Sequence, residues 1–351
     1  MVEEIATEPD FEYMAATFLK KYKEIIVGKF RSDPDTTRFN RLMQTNNFAR
    51  QLVSMSGRNC TIYENGDWYS IVLEVMDLDL IYKNVDEQDL KSDDEYPDVL
   101  VRELLRYFKQ DFFKWCDKPE CHTCGNSDRV QFHSTEPPNS EEAKYECGSV
   151  EVFRCDGCGS MIRFPRYNDP IKLLETRTGR CGEWCNLFTL VLKSFGLEAR
   201  YVWNREDHVW CEYYSPYLNR WVHVDSCEQS FDQPYIYSIN WNKSMSYCIA
   251  FSKDDVTDVS KRYILKNELP RDQISELDLQ FICTYLTKRL RRQRTDDELF
   301  ELFKRDERER FEWMPKVKKT EQKSPTKTLE PEKGRQSGSA QWKSARGEDG
   351  K

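Results

Sequence analysis

Long apolar runs, excess positive charge and internal repeats are all missing from this sequence of 351 residues. The longest apolar stretch, residues 187–192, is interrupted by Thr189 and falls far short of the ~20 residues that a membrane-spanning helix requires. The first ten residues are acidic and lack an apolar signal core, so we expect neither secretion nor membrane insertion. The net charge of −8 argues against a nucleic-acid binder that depends on phosphate contacts.

Histidine is also scarce, with four residues, whereas cysteine is plentiful, with 13. An odd number of cysteines without a secretion signal predicts a reducing compartment, where cysteines serve metal binding, catalysis or core packing. Charged residues make up 32% of the chain, so part of it is expected to be unfolded. Aromatic residues make up 13%, which excludes disorder of the whole chain.

Three regions follow from the composition. Apolar residues recur at the helical period after Asp10, which predicts an N-terminal helix in residues 1–30. This helix either packs on its own domain or docks a partner. Residues 31–314 form the predicted catalytic region. Residues 315–351 contain ten basic and five acidic residues and few apolar ones, and are predicted to be a disordered tail.

Two C-x-x-C pairs, Cys121 with Cys124 and Cys155 with Cys158, lie 30 residues apart. Each pair can present two thiolates from one tight turn, and two such turns can surround one soft metal ion. The spacing predicts a structural Zn²⁺ site in a subdomain of about residues 116–160, with no open position for chemistry. A mixed site that uses nearby alternatives remains open at this stage: Cys116, Cys147, His122 and His133.

Cys181 is the strongest candidate nucleophile. It opens a predicted helix over residues 180–195, and a helix N-terminus stabilises a thiolate. Cys185 lies one turn further along and is predicted to be packed in the core.

Two strand-like segments, residues 208–214 and 220–225, predict an antiparallel hairpin. If Tyr213 pairs with Arg220, His208 lies opposite Asp225, within reach of an imidazole–carboxylate hydrogen bond. His208 would then be the base for Cys181. His223, two residues before Asp225, is the competing base, although a structural role suits it better.

Three segments carry a family resemblance: RFPRYNDPIKLLETRTGRCGEWCNLF, YVWNREDHVWCEYY and RWVHVDSCEQSFDQPYIYS. Together they resemble the cytoplasmic peptide:N-glycanases of the short fungal type, in the transglutaminase-like superfamily. The resemblance implies an α+β fold, in which a papain/transglutaminase-like cysteine hydrolase core holds an inserted four-cysteine zinc-binding subdomain and flanking helices. It also implies a triad of Cys181, His208 and Asp225.

The resemblance extends to further residues. Trp115 resembles a tryptophan near the oxyanion site, and Glu228 and Trp241 resemble contacts to the sugar. Positions that the family uses for active-site integrity are matched by Arg200, Trp210, Glu212 and Trp221, of which the two tryptophans are also candidates for substrate binding.

The implied reaction removes N-linked glycans from misfolded, denatured glycoproteins during ER-associated degradation, converting asparagine to aspartate. The cytoplasm is the expected location, with the nucleus left open. The resemblance further implies that terminal helices dock a ubiquitin-binding proteasome shuttle protein. Two other functions stay open: a thiol protease or transglutaminase with the same triad, and a non-catalytic zinc-stabilised scaffold.

Overall fold

The computed structural model describes residues 10–313 and 334–350. The α-helices of these residues are α1 Phe11–Arg31, α2 Thr36–Thr45, α3 Asn47–Asn59, α4 Gly66–Val75, α5 Leu78–Asp86, α6 Tyr96–Tyr107, α7 Ser140–Ala143, α8 Pro170–Thr176, α9 Cys181–Ser194, α10 Ser260–Tyr263, α11 Glu276–Leu290, α12 Asp296–Glu312 and α13 Ala340–Ala345. None of the described helices combines the length and the apolar character that crossing a bilayer requires.

The strands are short and mostly antiparallel. They are β1 Lys114–Trp115, β2 Val130–Glu136, β3 Val150–Cys155, β4 Met161–Pro165, β5 Thr178–Gly179, β6 Ala199–Asn204, β7 His208–Ser215, β8 Arg220–Asp225, β9 Ser230–Phe231, β10 Cys248–Phe251 and β11 Val256–Asp258. Six of them form the main sheet, in the order β11-β10-β6-β7-β8-β9. The mixed helices and sheets agree with the predicted α+β class.

Helix α9 is the central helix of the molecule. Every residue in it except Gly182 is buried, as expected for a helix that is enclosed on all sides. Its Cys185 and Thr189 contact Cys211 of β7, with sulfur–sulfur and oxygen–sulfur distances of 3.6 and 3.2 Å. Cys185 is therefore packed, as predicted, and α9 is held against the main sheet.

The β7–β8 hairpin corrects the predicted register. Arg220 pairs with Ser215 and not with Tyr213, a shift of two residues. The loop is shorter than expected because Asn219 adopts a left-handed conformation (φ 53°) and the Ser215 hydroxyl accepts the amide of Leu218 at 2.9 Å. Because side chains alternate with a period of two, this shift leaves every side chain on its predicted face.

The four predicted metal ligands belong to a separate three-stranded sheet, β2-β3-β4. Its last strand ends at Pro165, so the subdomain extends beyond the predicted boundary at residue 160. The two-stranded parallel sheet β1–β5 connects the start of this subdomain to the residues just before α9.

The N-terminal helix begins where the sequence predicted it. Asp10 accepts the Tyr13 amide at 3.0 Å and caps α1. Tyr22 packs edge-on against Phe300 and Phe303 of α12, while much of the remaining apolar surface of α1 is exposed.

The C-terminal region departs from the predicted disordered tail. Part of residues 315–351 lies outside the described residues, but residues 334–350 include α13 and pack on the protein. Composition suggested disorder because charged residues dominate this segment, yet Arg335 and Glu348 are almost fully buried as ion-paired groups.

Candidate active site and metal site

Cys181 is the first residue of α9 and is 9% exposed. The Glu183 carboxylate accepts the Arg180 amide at 3.0 Å and pairs with Arg166, which fixes the start of the helix. Burial raises the pKa of the Cys181 thiol, opposed by the positive charges of Arg335 and Arg346. The expected thiolate at the helix N-terminus is thus not favoured in the resting site, and a base must take the proton.

His208 is the base that the geometry provides. Its Nε2 lies 3.1 Å from Asp225 Oδ2, and both side chains are buried. Its Nδ1 has no hydrogen-bond partner among the described residues. Burial places the pKa of His208 well below its usual value, so the ring is neutral at neutral pH and Nδ1 carries a free lone pair.

Three further donors hold the Asp225 carboxylate. Its Oδ1 accepts the amides of Cys227 at 2.9 Å and Glu228 at 3.3 Å, and its Oδ2 accepts the Tyr237 hydroxyl at 2.8 Å. Sequence reasoning missed Tyr237, because nothing in its spacing marks it. It lies in a π-helical turn, Ile236–Asn240, that only the folded chain brings beneath the triad.

His223 is not free to act as a base. Its Nδ1 accepts the Gln233 amide at 3.3 Å, and its Nε2 lies 2.7 Å from the Tyr237 hydroxyl. Burial lowers the pKa of His223 to about 4, so it is neutral and its Nε2–H donates to Tyr237. His223 therefore supports Asp225 through Tyr237, in agreement with the structural role preferred above.

Residues 334–350 contact three of the residues that were predicted to bind substrate: Trp115, Glu228 and Trp241. The Trp115 indole N–H donates to Asp117 at 2.7 Å, so this donor is engaged in the present structure. Glu228 accepts the amides of Gln336 and Ser337 at 2.8 and 3.1 Å. Trp241 lies beside the His208 ring, with 5.1 Å between centroids.

Trp210 and Trp221, also predicted to bind substrate, pack in the interior instead. Trp210 is 1% exposed and stacks on Tyr237 at 4.3 Å, beneath His208. Trp221 shares a face of β8 with Asp225 but lies four residues away, about 13 Å along the strand. Its partners are Arg200, at 4.2 Å, and Tyr214. Neither ring is placed to contact a substrate at Cys181.

Arg200 and Glu212 form a buried ion pair on adjacent strands β6 and β7. Arg200 also pairs with Glu309 of α12, and Glu212 also pairs with Arg262. Although burial acts to raise it, the charges of Arg200 and Arg262 lower the pKa of Glu212 to about 2. Through Arg200 the pair connects α12 to the main sheet, which also carries His208 and Asp225. This contact fits the role in maintaining the active-site structure that the resemblance implies.

The four sulfur atoms of Cys121, Cys124, Cys155 and Cys158 all lie within 4.8 Å of one another. A tetrahedral zinc ion with bonds of about 2.3 Å requires sulfur atoms roughly 3.8 Å apart. Two of the sulfur pairs are separated by 3.5 and 3.6 Å. The cluster therefore suits a single metal ion, and it includes none of the predicted alternatives, Cys116, Cys147, His122 and His133, in the described part of the chain.

The chain is similar to known families and proteins. A model of the transglutaminase-like superfamily matches residues 132–226, and one of the Rad4 transglutaminase-like domain matches residues 202–330. The peptide-N(4)-(N-acetyl-beta-glucosaminyl)asparagine amidase of Saccharomyces cerevisiae is 60% identical and covers 97% of each chain. Its namesake in Candida glabrata is 60% identical over 98% of this chain and 99% of that protein. A solved Rad4–Rad23 complex crosslinked to undamaged DNA has 14% identity, 79% coverage of this chain, 60% of that chain and a TM-score of 0.44.

Proposed function

Because the chain belongs to the family of peptide-N(4)-(N-acetyl-beta-glucosaminyl)asparagine amidases, which release N-linked glycans from asparagine, we propose that Cys181, His208 and Asp225 carry out its reaction. The observation that carries this assignment is the His208–Asp225 hydrogen bond at 3.1 Å, which leaves only Nδ1 available for proton transfer. The chain is a hydrolase of the transglutaminase-like fold, and its substrate bond is the amide between the glycan and the asparagine side chain.

In the first half-reaction, His208 Nδ1 takes the thiol proton as Cys181 Sγ attacks the side-chain carboxamide carbon. The carbonyl π electrons move to oxygen and form a tetrahedral oxyanion. Asp225 stabilises the imidazolium, which then gives its proton to the departing nitrogen. Breaking the carbon–nitrogen bond leaves a thioester on Cys181 and a free glycosylamine.

In the second half-reaction, His208 accepts a proton from a water molecule that attacks the thioester. The thiol leaves with the proton from His208, and the asparagine has become an aspartate. The freed glycosylamine loses ammonia in solution. The cycle consumes one water molecule at the enzyme and restores the neutral Cys181–His208 pair.

Zinc is the metal that we propose for the four-cysteine cluster. Four thiolates select a soft ion, and a closed tetrahedral set suits a structural site. The ion would hold the two C-x-x-C turns together, while Cys121 and Cys155 are buried and the other two ligands are exposed.

A shuttle partner would dock on α1. Seven large apolar side chains of this helix are exposed on the surface, although it packs on α12: Phe11, Tyr13, Met14, Phe18, Leu19, Tyr22 and Ile25. An exposed apolar set of this size favours a protein partner. We assign that partner as a ubiquitin-binding proteasome shuttle protein, and the substrate as a denatured glycoprotein in ER-associated degradation.

The cytoplasm is the compartment that fits this role. All thirteen cysteines lie in described residues and none forms a disulfide, and Cys185 and Cys211 stay unbonded although their sulfur atoms are 3.6 Å apart. A reducing compartment keeps such thiols, and the nucleophile, in working form.

The reduced, zinc-loaded protein and its Cys181→Ala variant are incubated with a denatured N-glycoprotein. We expect the native chain to release the glycan with a mass gain of about one dalton at the asparagine, since acid replaces amide, and the variant to be inert. Backbone cleavage or amine incorporation without glycan release would favour the protease or transglutaminase alternative. Activity that survives in Cys181→Ala would contradict the proposed nucleophile.

A further inference from the structure

Residues 334–350 lie against the catalytic face of the protein. The amides of Gln336 and Ser337 donate to Glu228, and the Ser339 amide donates to Asp117. Trp342 packs edge-on against Trp115 with 5.4 Å between centroids. The segment therefore borders the residues around Cys181 and His208 from one side.

Arg335 is the most enclosed side chain of this segment, at 1% exposure. Its Nη1 pairs with Glu348 at 2.6 Å, and its Nε donates to the Ser337 hydroxyl at 2.9 Å. The guanidinium carbon lies 5.0 Å from the Trp115 ring and 4.9 Å from the Trp241 ring. These contacts hold the guanidinium in one orientation, in which cation–π attraction adds to the ion pair.

One N–H donor group of Arg335 makes no hydrogen bond in the described residues. This group, Nη2, is buried. A buried donor without a partner destabilises the folded protein, and a charged donor does so more strongly. Such groups are rare in native structures and call for an explanation, such as a catalytic role or a bound water or ion.

Arg335 is connected to the reacting groups through Trp241. Trp241 contacts Arg335 on one side and the His208 ring, at 5.1 Å, on the other. The charges of Arg335 and Arg346 are the influences that oppose burial and lower the pKa of Cys181, whereas Asp207 and Glu183 raise it. The positive charges that favour a Cys181 thiolate thus both come from residues 334–350.

We propose that Arg335 is a further catalytic residue, whose free Nη2–H donates a hydrogen bond to the substrate carboxamide oxygen as it becomes an oxyanion. No proton is transferred from Arg335: the guanidinium stabilises the negative charge until the carbonyl re-forms and the glycosylamine leaves. A preorganised donor of this kind is expected to contribute a large part of the rate enhancement. The inference rests on the proposed function of Cys181, and it makes Arg335 part of the active site.

The opposite role would be occlusion. The same segment occupies Glu228 and covers Trp115, which were predicted to contact substrate. A segment that only blocked the cleft would slow the native enzyme, so loosening it would raise the rate. The two roles therefore predict opposite signs for the same substitution.

The test uses the full-length, zinc-loaded chain and a denatured N-glycoprotein. Arg335→Gln is expected to lower kcat roughly 10²–10³-fold, in the range found when one oxyanion donor is removed, with a smaller change in KM. Arg335→Lys, which keeps the charge without the fork, should recover only part of kcat. Lys343→Gln is the matched control, because it removes one charge from the same segment and Lys343 makes no side-chain hydrogen bond or ion pair in the described residues.

A second readout follows the nucleophile itself. Iodoacetamide alkylation of Cys181 is measured against pH, with Cys181→Ala as the blank. Arg335→Gln should move the alkylation profile to higher pH, since a positive charge that favours the thiolate is lost, and Arg335→Lys should stay near the native profile.

The outcomes are distinct. Faster glycan release by Arg335→Gln would overturn the proposal in favour of occlusion, and an unchanged kcat with an unchanged alkylation profile would also overturn it. If Cys181→Ala stays inert in either case, the proposed function stands and only the role of Arg335 fails. Thermal melting of each variant identifies a loss of activity that comes from unfolding.

Discussion

At the scale of single residues, the site depends on a chain of hydrogen bonds in which each residue donates to the next and the last acceptor is Asp225. The Gln233 amide donates to His223, His223 donates to Tyr237, and the Tyr237 hydroxyl donates to Asp225 at 2.8 Å. Because an ionised carboxylate can only accept hydrogen bonds, His208 Nε2 carries the proton that it donates to Asp225 Oδ2, and Nδ1 is the basic nitrogen. Tyr237 and His223 are positioning residues that select this tautomer.

Tyr237→Phe tests this chain of bonds. The substitution removes one donor from Asp225 and leaves the buried His223 Nε2–H unpaired, which costs about 1–3 kcal/mol. We expect kcat to fall roughly 10-fold, because a less well positioned His208 keeps only part of the ~10²–10⁴-fold contribution of a general acid–base. The carboxylate would attract the imidazolium more strongly, so the acid limb of kcat/KM should move to higher pH. Tyr214→Phe, whose hydroxyl binds Asn219, is the control that should change neither quantity. An unaltered pH profile in Tyr237→Phe would argue against the positioning role.

At the scale of elements, the start of α9 determines where the nucleophile lies. Gly179 ends β5 directly before Arg180, the N-cap of the helix, and a Cβ added to Gly179 would clash with Glu183 Cβ. The Glu183 carboxylate in turn holds the Arg180 amide and the Arg166 guanidinium. The close approach of strand and helix at Gly179 is therefore a requirement of the Cys181 position.

Gly179→Ala is expected to displace Glu183 and destabilise the protein by about 1–3 kcal/mol, as overpacking does. Gly182→Ala is the matched comparison, since no heavy atom lies within 4 Å of the added Cβ and alanine favours the helix by about 0.5–1 kcal/mol. Urea unfolding of both variants measures the difference. Equal stability of the two would show that the space at Gly179 is not limiting.

At the scale of the whole molecule, the metal subdomain reaches the nucleophile through one acidic side chain. Glu151 of β3 pairs with Arg180 at 2.6 Å and with Arg166 at 2.9 Å, and Arg180 also donates to the carbonyl oxygens of Cys116 and Asp117. Arg180 directly precedes Cys181. The small sheet is thus held against the start of α9, and we expect the loss of the metal site to affect catalysis.

Removal of the metal with a chelator should lower both the melting temperature and kcat, because an unfolded cysteine cluster releases Glu151 from Arg180. Glu151→Gln should lower kcat while the bound zinc remains at one ion per chain. Cys121→Ser should lower kcat and also lose the zinc ion. Cys147→Ser is the control with unchanged zinc, since its thiol bonds to the Ser149 carbonyl and not to the cluster. Full activity after complete zinc loss would contradict the connection. Zinc content is measured by atomic emission.

The sequence by itself determined the four clustered cysteines, because the C-x-x-C spacing is a local signal. Local signals also predicted the triad: Cys181 from the start of a helix, and His208 and Asp225 from two strands. Even a register error of two residues left His208 and Asp225 on one face, since the alternation of side chains in a strand has a period of two.

Only the tertiary structure decided the contacts between distant segments. Three such contacts are the hydrogen bond from Tyr237 to Asp225, the ion pair of Glu151 with Arg180 and the buried ion pair of Arg335 with Glu348. No spacing in the sequence encodes these contacts. The charge of residues 334–350 predicted solvation, but Arg335 and Glu348 neutralise each other and pack against tryptophan rings. Burial of a charged group depends on a partner that only the folded chain supplies, and for that reason composition could not reveal it.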